Sequence, residues 1–245
     1  DETGRGAQDD VPRLANPEDF NRVTVVQRVL RDVSTRDQSV TVLGQKYDLP
    51  LILSPTGMTG IFWPHGALEA ARAASDAGAG FCLSSMSTST VEDIRKVAKQ
   101  PTWFQLYVMR DRGTSRELIE RAKAAGCSAL VLTVDLALQG QRDRDVHNGL
   151  TVPPTLRLTD VPNFVMRPGW VWRYLTGPKV VPASLVKPGQ DTLTTIAGYV
   201  NSQFDQTVTW KDHEWAKSIW GGPVTIKDIL APDDARPACD RGPAP

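Results

Sequence analysis

Apolar residues fall into short runs at a recurring spacing between residues 49 and 135. The first is Leu49-Pro50-Leu51-Ile52-Leu53-Ser54-Pro55 and the second Gly80-Phe81-Cys82-Leu83-Ser84-Ser85. Trp103-Phe104-Gln105-Leu106-Tyr107-Val108 is the third, and Ala129-Leu130-Val131-Leu132-Thr133-Val134-Asp135 the fourth. Runs this short and apolar predict strands buried on both faces, as in parallel sheets. Helix patterns lie between them. Residues 66–77 carry an apolar face of Leu68 and alanines, and residues 90–98 open at Thr90 with Asp93 three positions on. Residues 114–125 open at Thr114 with Glu117 three positions on, a capping-box spacing. Ala77-Gly78 and Ala125-Gly126 end the first and third helices, because glycine supplies the left-handed residue a helix C-terminus needs. The repeated unit is strand, helix, glycine, strand, which predicts a (β/α) barrel or an open parallel sheet.

The rhythm breaks over residues 136–208, which hold Pro153-Pro154, Pro162, Pro168, Pro178, Pro182 and Pro188. A connection this long inside a domain is usually functional or mobile. The rhythm returns with a helix from Trp210 to Ile219, a strand Pro223-Val224-Thr225-Ile226-Lys227, and a helix from Ala231 to Arg236 that Pro237 is expected to break. A closed parallel barrel needs eight strands. The pattern yields about five good ones and a weak one in the long connection. The expectation is one α/β domain over residues 1–245 with an atypical tail at 237–245; as a (β/α)8 TIM barrel it would lack its last two strands.

Composition narrows the function classes. Of the 245 residues, 28 are basic and 28 acidic, so no basic footprint for nucleic acid exists. Cys82, Cys127 and Cys239 are odd in number and far apart, which argues against a disulfide framework or zinc site and for a reducing, cytoplasmic compartment. No apolar run approaches the roughly 20 residues that span a bilayer. Asp1-Glu2-Thr3-Gly4 does not read as a signal peptide.

Ligands of parallel α/β folds bind at the C-terminal ends of the strands. There the sequence sets Ser54-Pro55-Thr56-Gly57-Met58, then Ser84-Ser85, Gln105 with Tyr107, Thr133 with Asp135, and Lys227. Hydroxyls, an amide, a phenol and an ammonium suit a flat, heteroatom-rich ligand better than a metal. Plainer readings stand beside this one. Ser84 and Thr133 can bond backbone, Asp135 can cap a turn, and Arg142 and Arg144 can be solvated. A buried amide at Gln105 and a buried ammonium at Lys227 both need partners. His65, His147 and His213 read as surface residues, and Trp170, Trp172 and Tyr174 as core of the long connection.

Several phrases occur in a fixed order: Arg28-Val29-Leu30-Arg31-Asp32-Val33-Ser34, Ser54-Pro55-Thr56-Gly57-Met58, Trp103-Phe104-Gln105-Leu106-Tyr107-Val108, Leu132-Thr133-Val134-Asp135 and Ile226-Lys227. Together they resemble the FMN-dependent L-2-hydroxy acid oxidases and dehydrogenases. Arg110-Asp111-Arg112-Gly113 and Trp210-Lys211-Asp212-His213-Glu214-Trp215 resemble the bacterial L-lactate dehydrogenases of that family. The resemblance implies a TIM barrel with FMN at its C-terminal rim, a small 2-hydroxy acid substrate, and a quinone or other electron acceptor. It implies that Thr56 and Gly57 lie by flavin N5, that Ser84, Gln105 and Thr133 bond the flavin ring, and that Lys227 sits by N1. Tyr107 and Arg142 would bind substrate, and Asp135 would orient a catalytic histidine. It implies peripheral contact with the inner membrane face, for which residues 160–185 are the candidate despite lacking a strong amphipathic period. A homo-oligomer stays open.

Four departures accompany the match. No Ser-Asn-His-Gly-Gly-Arg stretch, which carries the family's histidine and an arginine, occurs here; nor does the later glycine- and arginine-rich phosphate segment. Asp228 stands where the family has glycine after the lysine. Met86 stands where oxidases often have tryptophan. The readings in competition are therefore the family's oxidation of L-lactate to pyruvate, a truncated non-catalytic remnant, and Schiff-base chemistry at Lys227.

Overall fold

The computed structural model describes residues 17–136, 161–186 and 202–241. They belong to two compact units, one containing residues 17–37 and the other residues 38–136, 161–186 and 202–241. In the first, Arg22 pairs with Asp19 at 3.0 Å, and the Ser34 amide donates to Asp32 Oδ1 at 2.9 Å. That bond, to backbone first, holds the Asp32 carboxyl below the usual carboxylate value.

The second unit opens with a hairpin, β1 (Val40–Val42) antiparallel to β2 (Gln45–Tyr47). Its turn, Leu43-Gly44, has φ of 49° and 78°. Two positive values are what a tight two-residue hairpin requires. The sequence reading missed this hairpin because leucine is an unusual occupant of the first turn position. Five parallel strands follow: β3 (Ile52–Leu53), β4 (Gly80–Ser84), β5 (Trp103–Tyr107), β6 (Ala129–Thr133) and β7 (Val224–Lys227). They lie side by side in chain order. An open doubly wound sheet reverses direction at a switch point, whereas a barrel adds each strand beside the last. The order is therefore that of part of a barrel, one of the two architectures the pattern left open. Every residue of β4 and β6 is buried, which explains their unbroken apolar runs.

The helices are α1 (Gly66–Asp76), α2 (Val91–Val97), α3 (Arg112–Ala124), α4 (Val161–Val165), α5 (Pro168–Thr176), α6 (Trp210–Trp220) and α7 (Pro232–Arg241). Thr90 caps α2 as expected, accepting from the Asp93 amide. The α3 cap differs from expectation. Asp111 occupies it, accepting from the Gly113 amide at 2.9 Å and from the Thr114 hydroxyl at 2.8 Å. The carboxylate outcompetes the hydroxyl, so Thr114 donates and the helix starts two residues early. Gly78 and Gly126 take φ of 69° and 77° just past α1 and α3, as predicted. Pro237 does not break the last helix but lies inside α7, whose first turn is tied by the Asp234 and Ala235 amides to the Ala231 carbonyl.

One core joins these elements. Ala71 and Ala74 of α1, Ile94 of α2 and Ile119 and Ala122 of α3 pack with Leu83, Phe104, Leu106, Leu130 and Leu132 of the sheet. Small alanines let α1 sit close to the strands, and the large residues fill the space between. His213 corrects the sequence reading, being almost fully buried on α6 beside Trp210. The Thr209–Asp212 capping box sets that helix so that His213, Ala216 and Trp220 face inward.

Arg112 at the start of α3 bonds Asp212 at 2.8 Å, Asp205 at 2.8 Å and the Met109 carbonyl. The two phrases that resembled lactate dehydrogenases thus touch through Arg112 and Asp212. Of the long connection, residues 161–186 and 202–208 are described. They contain no strand, only an isolated bridge of Phe204 to Met109.

Candidate functional site at the C-terminal ends of the strands

Parallel register brings the polar strand ends into one row. Ser84 of β4 pairs with Gln105 of β5, and Thr133 of β6 pairs with both Tyr107 and Lys227. The Ser84 hydroxyl donates to Gln105 Oε1 at 3.1 Å, and Gln105 Nε2 donates to Thr133 Oγ1 at 2.9 Å. All three residues are buried. The Ser85 amide also donates to Gln105 Oε1, at 3.3 Å, and the Met86 amide to Ser84 Oγ at 3.1 Å. A buried amide in an apolar strand is thus satisfied by its neighbours, which is what such a group demands. One Gln105 amide hydrogen and the Thr133 hydroxyl hydrogen are not used by these bonds. Ser85 Oγ is buried with no partner.

The β3 loop meets this row from one side. The Met58 amide donates to the Met86 carbonyl at 3.0 Å, and Met58 is left-handed with φ of 53°. A Cβ on Gly57 would come within 3.1 Å of the Met86 Cβ, so a side chain there would require Met86 to give by a few tenths of an ångström. Thr56 is exposed and its hydroxyl reaches the Ser54 carbonyl at 3.4 Å. Tyr107 is half-buried, with its ring edge-on to Phe204 at 6.3 Å.

The other end of the row is charged. Lys227 Nζ lies 2.7 and 2.6 Å from the two carboxylate oxygens of Asp228. Both residues are half-buried. The ammonium thus has the partner the sequence demanded, from the next residue in the chain. Asp228 adopts φ of 76°, a left-handed backbone that non-glycine residues rarely take. Asp135 is exposed as a residue, yet its carboxyl is drawn above the usual value. Lost hydration is the first cause and the neighbouring Asp228 charge the second, with Lys227 opposing both. The pairing of Lys227 with Asp228 is the feature sequence reasoning missed, although an acid directly after a strand-end lysine was its signal. Arg142 lies outside the described residues. Among the described residues no cluster could hold a metal ion.

The donor set suits a flavin ring. The ring's carbonyls and imine-type nitrogens need donors along one edge, and the row offers an amide hydrogen, a hydroxyl and an ammonium with no thiol or imidazole.

Away from the row, α4 and α5 carry large apolar residues outward. Trp172, Leu175, Val165 and Met166 are 70–73% exposed. Trp172 is thus not core, contrary to the sequence reading, and Tyr174 is also exposed. Trp170 is half-buried, stacks between Phe164 and Tyr174, and donates from its indole to the Ile61 carbonyl at 3.1 Å. Arg173 lies over the Trp63 ring at 4.2 Å.

Comparison with known proteins fits this arrangement. Residues 3–244 match the FMN-dependent dehydrogenase family. An L-lactate dehydrogenase of Alcaligenes faecalis is 42% identical over 226 residues, 91% of this chain and 59% of that protein. An L-lactate dehydrogenase of Caulobacter sp. (strain K31) is 38% identical over 230 residues, 93% of this chain and 60% of that protein. Among solved structures, the monotopic membrane protein (S)-mandelate dehydrogenase superposes with a TM-score of 0.88 at 31% identity, covering 96% of this chain and 62% of that one. A mandelate oxidase superposes with a TM-score of 0.76 at 31% identity, covering 97% and 59%. The chain spans about three fifths of the length of these relatives. Strand order, strand-end chemistry and sequence agree: the chain belongs to the FMN-dependent dehydrogenase family.

Proposed function

We propose that this chain serves the FMN-dependent oxidation of an L-2-hydroxy acid, with L-lactate the first substrate to test and an aryl hydroxy acid such as mandelate the second. The observation that carries the reading is the buried bond sequence Ser84–Gln105–Thr133 ending beside Lys227, at the C-terminal ends of consecutive strands. Bound FMN supplies a two-electron acceptor for the hydroxy acid. Gln105 and Thr133 donate to the ring edge, and Ser84 fixes the amide so that its nitrogen points toward Thr133. Backbone at Thr56 and Gly57 would lie by the N5 side, and Lys227 would sit by N1 with an ammonium that Asp228 partly offsets. Tyr107 and Arg142 hold the substrate carboxylate and hydroxyl, a task for which the guanidinium fork is suited. Asp135 orients the base. No histidine of this sequence is assigned as that base.

The test is uptake of FMN by the purified chain, read as flavin absorbance after gel filtration, followed by anaerobic addition of L-lactate or (S)-mandelate. FMN uptake with bleaching supports the oxidation, and the faster substrate names the class. Uptake with persistent colour favours a flavin-binding, non-catalytic chain. A protein that stays colourless sinks both. Schiff-base chemistry is disfavoured, because the Asp228 carboxylate closes on Lys227 Nζ at 2.6 Å, whereas a nucleophilic lysine sits in an apolar pocket or beside another cation.

The reading extends to peripheral membrane contact through α4 and α5. Exposed Trp172, Leu175, Val165 and Met166 beside Arg167 and Arg173 make an apolar, basic surface suited to the headgroup boundary of an anionic bilayer. Among the described residues no helix is long and apolar enough to cross a membrane. Co-sedimentation with anionic vesicles, lost in Trp172→Ser/Leu175→Ser, checks the surface. A quinone dissolved in those vesicles is the proposed electron acceptor.

A further inference from the structure

The residue after Lys227 combines two unusual properties. Asp228 places both carboxylate oxygens within 2.7 Å of the Lys227 ammonium, and it does so from a left-handed backbone with φ of 76°. A left-handed backbone is less favourable for aspartate than for glycine. Glycine would avoid that cost, and the family has glycine there. The strain therefore accompanies a carboxylate aimed back along β7 at its own neighbour.

We propose that Asp228 is a positioning residue that neutralises Lys227 and so lowers the preference of this rim for reduced over oxidised flavin. This rests on the flavin reading above. A lone ammonium at the N1 corner favours a ligand that gains negative charge on reduction. A closed ion pair offers a dipole in place of that charge, and its field falls off faster with distance. Three groups face the corner: Lys227, Asp228 and the Asp135 carboxyl from the end of β6, whose ionisation Asp228 opposes. Both acids work against the ammonium, and Asp228 is the one in direct contact.

Asp228→Asn isolates the charge, because asparagine tolerates the left-handed backbone. Asp228→Gly also removes the backbone cost and serves if the asparagine variant folds poorly. FMN is the probe, and the quantity read is the ratio of its oxidised to reduced dissociation constants, obtained from the midpoint potential of the bound flavin. In Asp228→Asn that ratio should rise about tenfold, a positive shift of about 30 mV for two electrons. A second readout needs no flavin: acylation of Lys227, followed by mass spectrometry, should be faster in Asp228→Asn, because the carboxylate shields Nζ. An unchanged flavin ratio in both Asp228 variants overturns the proposal. Failure of every variant to take up FMN also overturns it, through failure of the flavin reading. The acylation rates then tell whether the ion pair itself stood.

Discussion

The two ends of the strand-end row are built on opposite principles. Around β4 to β6 the row is neutral and buried, and each group satisfies the next, from Ser84 through Gln105 to Thr133. At β7 it is charged and half-exposed, with Lys227 and Asp228 closing on each other and Asp135 pushed toward its neutral form. In the first region one lost partner strands a buried amide, and the cost is fixed by desolvation. In the second, water and salt stand in for a lost partner, and the cost is small. The difference separates rigidity from tuning. In the proposed site the neutral stretch would fix geometry for a ring, while the charged corner would set how the site responds to charge.

That contrast can be broken at several points. Gln105→Leu should have the largest effect, losing about 1–3 kcal/mol for each buried partner it strands, as measured by urea unfolding. Loss of less than 1 kcal/mol would mean the bonds are not made. Thr133→Val should cost about 1–2 kcal/mol, because it leaves the Gln105 N–H without its acceptor while keeping shape. Lys227→Met should change stability by no more than about 1 kcal/mol, and the change should fade in high salt. A larger, salt-insensitive loss would place the ammonium in the rigid stretch instead.

The smallest effect is a pH slope. Asp135 has a raised carboxyl value in the folded state, so the folded chain binds more protons than the unfolded one above about 3.8. Its contribution to stability therefore falls as pH rises from that value through the raised one. Asp228→Asn removes one cause of the rise and should flatten this slope. An Asp135 titration followed by NMR, unmoved by the substitution, would contradict the coupling.

The same contrast governs what could be read in the sequence. The β4 and β6 strands were legible because burial on both faces leaves nearly unbroken apolar runs, and β5 because its centre is buried. Their polar ends stood out for the same reason, since Gln105 in an apolar run needs an explanation. Local geometry was less legible. Asp111 rather than Thr114 caps α3, because two candidate caps lie three residues apart and only the carboxylate's reach decides. His213 was misjudged because its burial depends on how α6 meets α3, a long-range contact held by Arg112. Pairing of Lys227 with Asp228 was hidden because adjacent strand residues normally point apart, and only a positive φ turns the carboxylate back.

One titration bears most directly on the central claim that the neutral row holds a flavin ring. The purified chain is titrated with FMN, in parallel with Gln105→Leu, and flavin fluorescence quenching gives the dissociation constants. The account predicts saturable binding by the parent chain, with riboflavin competing on nearly equal terms because the row addresses the ring. It also predicts at least about tenfold weaker binding by a folded Gln105→Leu variant. No binding by the parent chain, or equal binding by the variant, would contradict it.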